Sequence, residues 1–198
     1  MTQAEATSRP PAPAAARRVP PHPHRRRVVR AAAGVVVALL AVALAGVPLL
    51  VAPPQAPPGT ADVVVVLGPP QPWRVAWARE LVESGRAGAI LVSVDADDHV
   101  PLCEDPGDLV VRCARPDPFT TRGEARWIRD ELRAHGWTTA TVVTAAPNLL
   151  RARLLVERCV DDGVQVVARR EPIGLDRWAM RYAWQAAGWT KALTTRGC

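Results

Sequence analysis

Asp62-Val63-Val64-Val65-Val66-Leu67 is a continuous β-branched run closed by Gly68-Pro69-Pro70. Alternating apolar and polar residues would mark a strand with one wet face, whereas a run apolar throughout marks a strand covered on both. Strands of that kind belong to parallel sheets, and parallel neighbours need a crossover between them, so the run predicts helices on both faces of a sheet. The chain supplies them in turn. Trp73 to Ser84 carries Val75, Ala76, Ala78, Leu81 and Val82 at helical spacing and is stopped by Gly85. Ala89 to Ser93 repeats the buried-strand pattern. After an irregular acidic stretch from Asp95 to Asp117, with a short strand at Leu109 to Val111, the spacing predicts a helix over 122–135 ended by Gly136. A strand over 139–144, a helix over 147–160, a strand over 164–168 and a Trp-rich helix over 175–193 complete the pattern. The expected fold is α/β, a Rossmann-like three-layer sandwich with a mainly parallel sheet. Right-handed crossovers would bring Gly68, Ser93, Thr121 and Ala145 to one edge of it.

The first sixty residues obey different rules. Residues 1–30 are Pro, Ala and Arg with little to bury, a disordered basic tail expected in the cytoplasm. Residues 31–52 are apolar and uncharged, long enough to cross a membrane as one helix. The Arg cluster before this run predicts a signal-anchor with the N-terminus inside and the rest of the chain extracytoplasmic. A cleaved signal peptide, ending at Ala43-Leu44-Ala45, is the alternative; the long leader and the apolar residues past Gly46 favour the anchor. Residues 53–60 form a Pro-rich linker, expected to act as a semi-rigid spacer ahead of a domain over 61–198. Charge divides the same way. Seven Arg against Glu5 give the tail 7 − 1 = +6, the whole net charge, and the remaining 18 basic and 18 acidic residues cancel. The domain offers a phosphate backbone no excess of positive charge, which excludes nucleic acid as the expected partner.

Four Cys in an exported domain predict disulfides. Cys103 and Cys113 lie in one irregular loop and are the expected pair; Cys159 and Cys198 are either free or paired. No Cys-x-x-Cys occurs, no metal site is expected, and none of the three Ser lies in Gly-x-Ser-x-Gly. Trp178, Trp184 and Trp189 with Tyr182 suit a terminal helix docked on the sheet, or else an aromatic surface for a glycan or the membrane interface.

Two stretches enter helices: Pro116 to Arg126, and Val143 to Ala152 directly after a β-branched run. Each delivers an Arg, Arg122 or Arg151, to a first helical turn. Unpaired N–H groups at a helix start favour an anion, while the dipole disfavours positive charge, so these two Arg suit an anion site better than a purely structural role. Thr121-Arg122-Gly123-Glu124 also fits a capping box, with Thr121 as N-cap and Glu124 reaching back to its N–H. Glu124 is the one weak candidate for a general base.

The order Asp-Val-Val-Val-Val-Leu-Gly, Ile-Leu-Val-Ser, Thr-Arg-Gly-Glu-Ala and Val-Val-Thr followed by Arg-Ala resembles the YdcF/SanA/ElyC family of bacterial envelope proteins, over Asp62 to about Ala168. The resemblance implies a Rossmann-like domain, often behind a single membrane anchor, with a role in cell-envelope or peptidoglycan biogenesis or maintenance. This chain departs from similar proteins at two places. Gly68-Pro69-Pro70 replaces a Gly-rich turn and removes N–H donors from a phosphate cradle. Thr144-Ala145-Ala146-Pro147-Asn148 replaces Thr-Ser-x-Tyr-His, and Asn148 does not titrate where a His would. The expected ligand is an anionic envelope molecule carrying phosphate or a glycan precursor, bound by Gly68, Thr121, Arg122, Gly123, Glu124 and Arg151 with Thr144 and Asn148 orienting it. A non-catalytic binding or scaffold module is the competing expectation. A third is S-adenosylmethionine or a nucleotide, which the Gly-Pro-Pro turn and the export signal oppose; otherwise no cofactor is expected.

Overall fold

The computed structural model describes residues 23–171, 174–195 and 197–198. Two compact units, Met1–Ala41 and Val42–Cys198, divide the chain. The described part of the first is helical throughout. It belongs to α1, Pro23–Gly46, which continues as a wider turn over Val47–Val51. The segment His24–Val51 is long and apolar enough to cross a membrane. Helix begins at Pro23 rather than Ala31, because Arg and Val after Pro23 are good enough helix formers to extend a helix already nucleated by the apolar run. The expected disorder of residues 1–30 is thus corrected for 23–30, and for 1–22 lies outside the described residues.

The second unit is an α/β domain with five strands, all parallel, in the order β3-β2-β1-β4-β5. These are β1 (Ala61–Val66), β2 (Ala87–Ser93), β3 (Val111–Ala114), β4 (Ala140–Ala145) and β5 (Val164–Arg169). The crossovers are α2 (Pro72–Glu83), the four-residue α3 (Pro101–Glu104), α4 (Thr121–His135) and α5 (Leu149–Glu157), and α6 (Leu175–Thr194) follows β5. Because side chains alternate across a strand, β1 feeds two cores. Val63, Val65 and Leu67 pack with Ile128 and Leu132 of α4 and Leu149 and Ala152 of α5. Val64 and Val66 pack with Trp77, Ala78 and Leu81 of α2 and Leu102 of α3. The chain reverses its direction of travel across the sheet between β1 and β4, and their C-terminal ends flank the crevice where α/β sheets place their sites.

Local details differ from expectation for identifiable reasons. Strand β3 is displaced from 109–111 to Val111–Ala114, because Cys113 lies at disulfide distance from Cys103, with a Cα–Cα separation of 5.9 Å. Cys159 and Cys198, left open above, are likewise at disulfide distance, with Cα atoms 4.7 Å apart. A 3-10 turn, Ala146–Asn148, precedes α5, since Pro147 has no N–H for a regular helical bond.

The Pro-rich segment is not a free spacer. Gln55 donates from Nε2 to the carbonyl of Ala168 at 2.7 Å and accepts from the Ala168 N–H at 2.6 Å. Gln165 donates to the carbonyl of Pro57 and accepts from the Gly59 N–H. The edge strand β5 would otherwise leave these backbone groups open to another chain. The linker's prolines cannot form a sixth strand, and two Gln amides do its hydrogen bonding instead.

Candidate functional site

The carboxylate of Glu124 stands at the crevice between β1 and β4. It is 3% exposed, and Oε1 accepts the N–H of Gly68 at 2.6 Å. The expected capping box is displaced by one residue: Thr120 is the N-cap of α4, with Oγ1 accepting from the Gly123 N–H at 3.2 Å. With Thr120 as the cap, Glu124 is the fourth residue of the helix and points into the sheet edge instead of back to the cap. Gly123 lets the Pro118–Thr120 loop fold onto the first turn of α4, since a Cβ there would run into the carbonyl of Pro118. Gly68 is packed almost as tightly, against the Phe119 ring at 2.7 Å and Ser93 Oγ at 3.1 Å from an added Cβ.

Three more groups act on Glu124. Burial pushes its carboxyl above the ordinary range; the Gly68 N–H, the Ser93 hydroxyl and the charges of Arg74 and Arg151 pull it back. Ser93 is fully buried, and its hydroxyl is turned toward the Glu124 carboxyl. Arg74 is 6% exposed and donates to the carbonyls of Leu67 and Pro69, both at 2.6 Å, while its Nε has no partner among the described residues. Burial lowers the pKa of Arg74, and Glu171 and Glu124 raise it. Arg151 is lowered by burial and raised by Glu124.

From the β4 side a chain of side chains converges on the same place. Asn148 donates from Nδ2 to Thr144 Oγ1 at 3.0 Å and accepts from Arg151 Nη2 at 2.5 Å; Arg151 Nε donates to Gln185 Oε1 at 3.3 Å. Gln185 is buried, and Gly188 lies against the Arg151 guanidinium, so α6 covers this flank. The terminal helix therefore packs on α5 and on the 146–148 turn rather than on the face of the sheet.

Gly68, Glu124, Thr144, Asn148 and Arg151 are thus brought together, while Gly123 shapes the loop that enters α4. Arg122 is not among them. Its Nη2 donates to the carbonyl and the hydroxyl oxygen of Thr195 at 2.6 and 2.9 Å, which corrects the expectation of two converging first-turn Arg. The reason is local: Gly123 and Glu124 take the inward positions of α4, and Arg122 emerges toward the chain end. Thr121 is half-buried at the first helical position and makes no capping bond.

Sequence reasoning missed Arg74 and Gln185 and gave Ser93 no role. Arg74 did carry a signal, since with Trp77, Ala78 and Leu81 it completes an i, i+3, i+4, i+7 stripe, which puts a charge on the buried face of α2. Among the described residues no cluster of His, Cys, Asp and Glu is arranged to hold a metal ion. Two cavities lie away from the crevice. One of about 380 Å³ is bounded by Gln55, Trp77, Glu80 and Arg169, and one of about 480 Å³ by Asp62, Arg86 and Trp137. No protein-family model, curated protein or solved structure matches the chain.

Proposed function

We propose that this is a single-pass membrane protein of the YdcF/SanA/ElyC type, with its N-terminus inside and its α/β domain on the outer side, that binds an anionic envelope ligand at the β1/β4 crevice. The observation that carries the ligand reading is the burial of Arg74 and Glu124 at one crevice, with Arg151 half-buried beside them. Buried charges cost several kcal/mol each unless compensated, and the Arg74 Nε, unpaired among the described residues, leaves part of that cost unmet. Arg151 and the start of α5 are the anion-facing groups, and Asn148 and Thr144 fix the direction of the guanidinium. The wider turn Val47–Val51 packs on Ala146–Asn148, which suits a ligand whose anionic head is carried on a lipid. An oxidising compartment suits the two Cys pairs.

The second reading is a binding or scaffold module that transforms nothing. It is favoured by Gln185 and Gly188 seated on Arg151 and by Asn148, which cannot move a proton. A nucleotide or S-adenosylmethionine is disfavoured, since the Gly68 N–H that would meet a phosphate is already given to Glu124.

A thermal-shift screen of the full chain in detergent, against inorganic phosphate, phosphosugars and lipid phosphates, tests the reading. A ligand at about 100 times its Kd stabilises by about 2.7 kcal/mol. The expected result is a shift lost in Arg151→Ala and kept in Arg122→Ala. A shift lost equally in both variants, or no shift with any anion from a folded protein, would refute it.

A further inference from the structure

Helix α6 has two faces of different character. Toward the protein it turns Trp178, Arg181, Tyr182, Gln185, Gly188, Trp189 and Ala192, buried or half-buried at the spacing of one helical face. Away from the protein it presents Ala179, Met180, Ala183, Trp184, Ala186 and Ala187, all exposed and none charged. Met180 is 70% and Trp184 69% exposed. Among the described residues outside α1 and its terminal turn, the exposed large hydrophobic residues are Val110 and three residues of α6, so α6 is where such surface concentrates. Charged side chains on the outward face, Asp176 and Arg177 at one end and Lys191 at the other, bracket the apolar stretch.

What covers that stretch is indicated by the neighbour of α6. Tyr182 donates its hydroxyl hydrogen to the carbonyl of Ala43 at 3.1 Å, and its ring lies where a side chain at Gly46 would be. Ala43 and Gly46 are in the last turn of α1, the point at which the long apolar helix gives way to the wider turn and the chain leaves for the domain. If residues 31–52 cross the membrane, Ala43 and Gly46 lie in the outer-leaflet part of the span, and a helix touching that turn is held against the outer leaflet. Trp is favoured there because its apolar body and N–H suit the headgroup region, and a helix with one apolar stripe bracketed by charge lies in the plane of that region. We propose that α6 is an interfacial helix whose Met180, Ala183, Trp184 and Ala187 face the lipid of the outer leaflet. Since the inner face of α6 holds Arg151 through Gln185, this seats the crevice against the membrane surface, where a lipid-borne anion would reach it. The inference rests on the membrane-spanning reading of α1.

The test is collision accessibility of nitroxide labels on the full chain in lipid nanodiscs, placed one at a time by Trp184→Cys, Ala187→Cys, Leu39→Cys and Glu83→Cys. Oxygen partitions into lipid and a nickel chelate stays in water, so their ratio reads the surroundings of each label. The expected result is oxygen-rich collision at 184, 187 and 39 and nickel-rich collision at 83. Lipid exposure at 39 with nickel-rich collision at 184 and 187 overturns the interfacial helix alone, and leaves that face for a soluble partner such as a glycan. Low collision with both probes at 184 and 187 overturns it in favour of contact between copies of the chain. Nickel-rich collision at 39 refutes the membrane span and the inference with it.

Discussion

Replacing Glu124 first by Ala and then by Gln separates the two things this carboxylate does. In Glu124→Ala the Gly68 N–H loses its acceptor at 2.6 Å in a largely buried place, a loss of about 1–3 kcal/mol. The missing side-chain atoms leave a small void in a close-packed edge, worth about 1 kcal/mol more. Relief from burying a charge offsets part of this, and a net loss of about 2–4 kcal/mol remains, since Arg74 stays buried and Arg151 half-buried without the carboxyl they face. For a domain of this size that is a fall in Tm of roughly 6 to 15 °C. Glu124→Gln keeps an amide oxygen for the Gly68 N–H, and its cost should be about 1 kcal/mol or less. The pH dependence carries a second readout. Burial holds the Glu124 carboxyl above its ordinary value of 4.5, so the folded chain binds this proton more tightly than the unfolded chain. Its contribution is fully present below 4.5 and is lost as pH rises from there through the raised folded value. Chemical denaturation of wild type and Glu124→Gln from pH 4 to 8 should give a falling limb that the Gln variant lacks. Equal destabilisation by Ala and Gln, or a wild-type limb that persists in Glu124→Gln, would refute the reasoning.

Gln55→Ala should cost about 1–2 kcal/mol in chemical denaturation and speed amide exchange at Ala168, because two hydrogen bonds on an edge strand are lost together. On the chain-entropy view of cross-links, Cys159→Ser opens the longer loop, a sequence separation of 39 against 10 for Cys103 and Cys113. It should therefore lower stability by about 4 kcal/mol, against about 3 kcal/mol for Cys103→Ser, as read by urea midpoints. Asp62 is held below its ordinary value of 3.8 by the N–H groups of Thr138 and Thr139 and their hydroxyls. The stability it adds is present above 3.8 and lost as pH falls below it, so Asp62→Asn should flatten the acid limb of the Tm profile.

Much of the fold was legible because it rests on short-range rules. The all-apolar run at Val63–Val66 could only be a strand covered on both sides, and Gly136, at φ 66°, ended α4 where a left-handed residue was needed. The site was legible in location but not in membership. Arg122 and Arg151 occupy like positions in sequence, and nothing local separates the one that bonds to Thr195 from the one that faces Glu124. Thr120 and Thr121 are equally good caps by type, and the choice between them decided whether Glu124 bonded its own helix or the strand beside it.

The sequence by itself determined that this chain has an apolar helix followed by a parallel α/β domain, since hydrophobic periodicity and turn chemistry act over a few residues. Only the tertiary structure decided that a linker Gln would finish the sheet edge, that Arg74 would be buried at the ends of the strands, and that α6 would lie against the last turn of α1. Those outcomes depend on which unmet polar group or unfilled space lies nearest in three dimensions, between residues as many as 139 positions apart, and no local pattern encodes that.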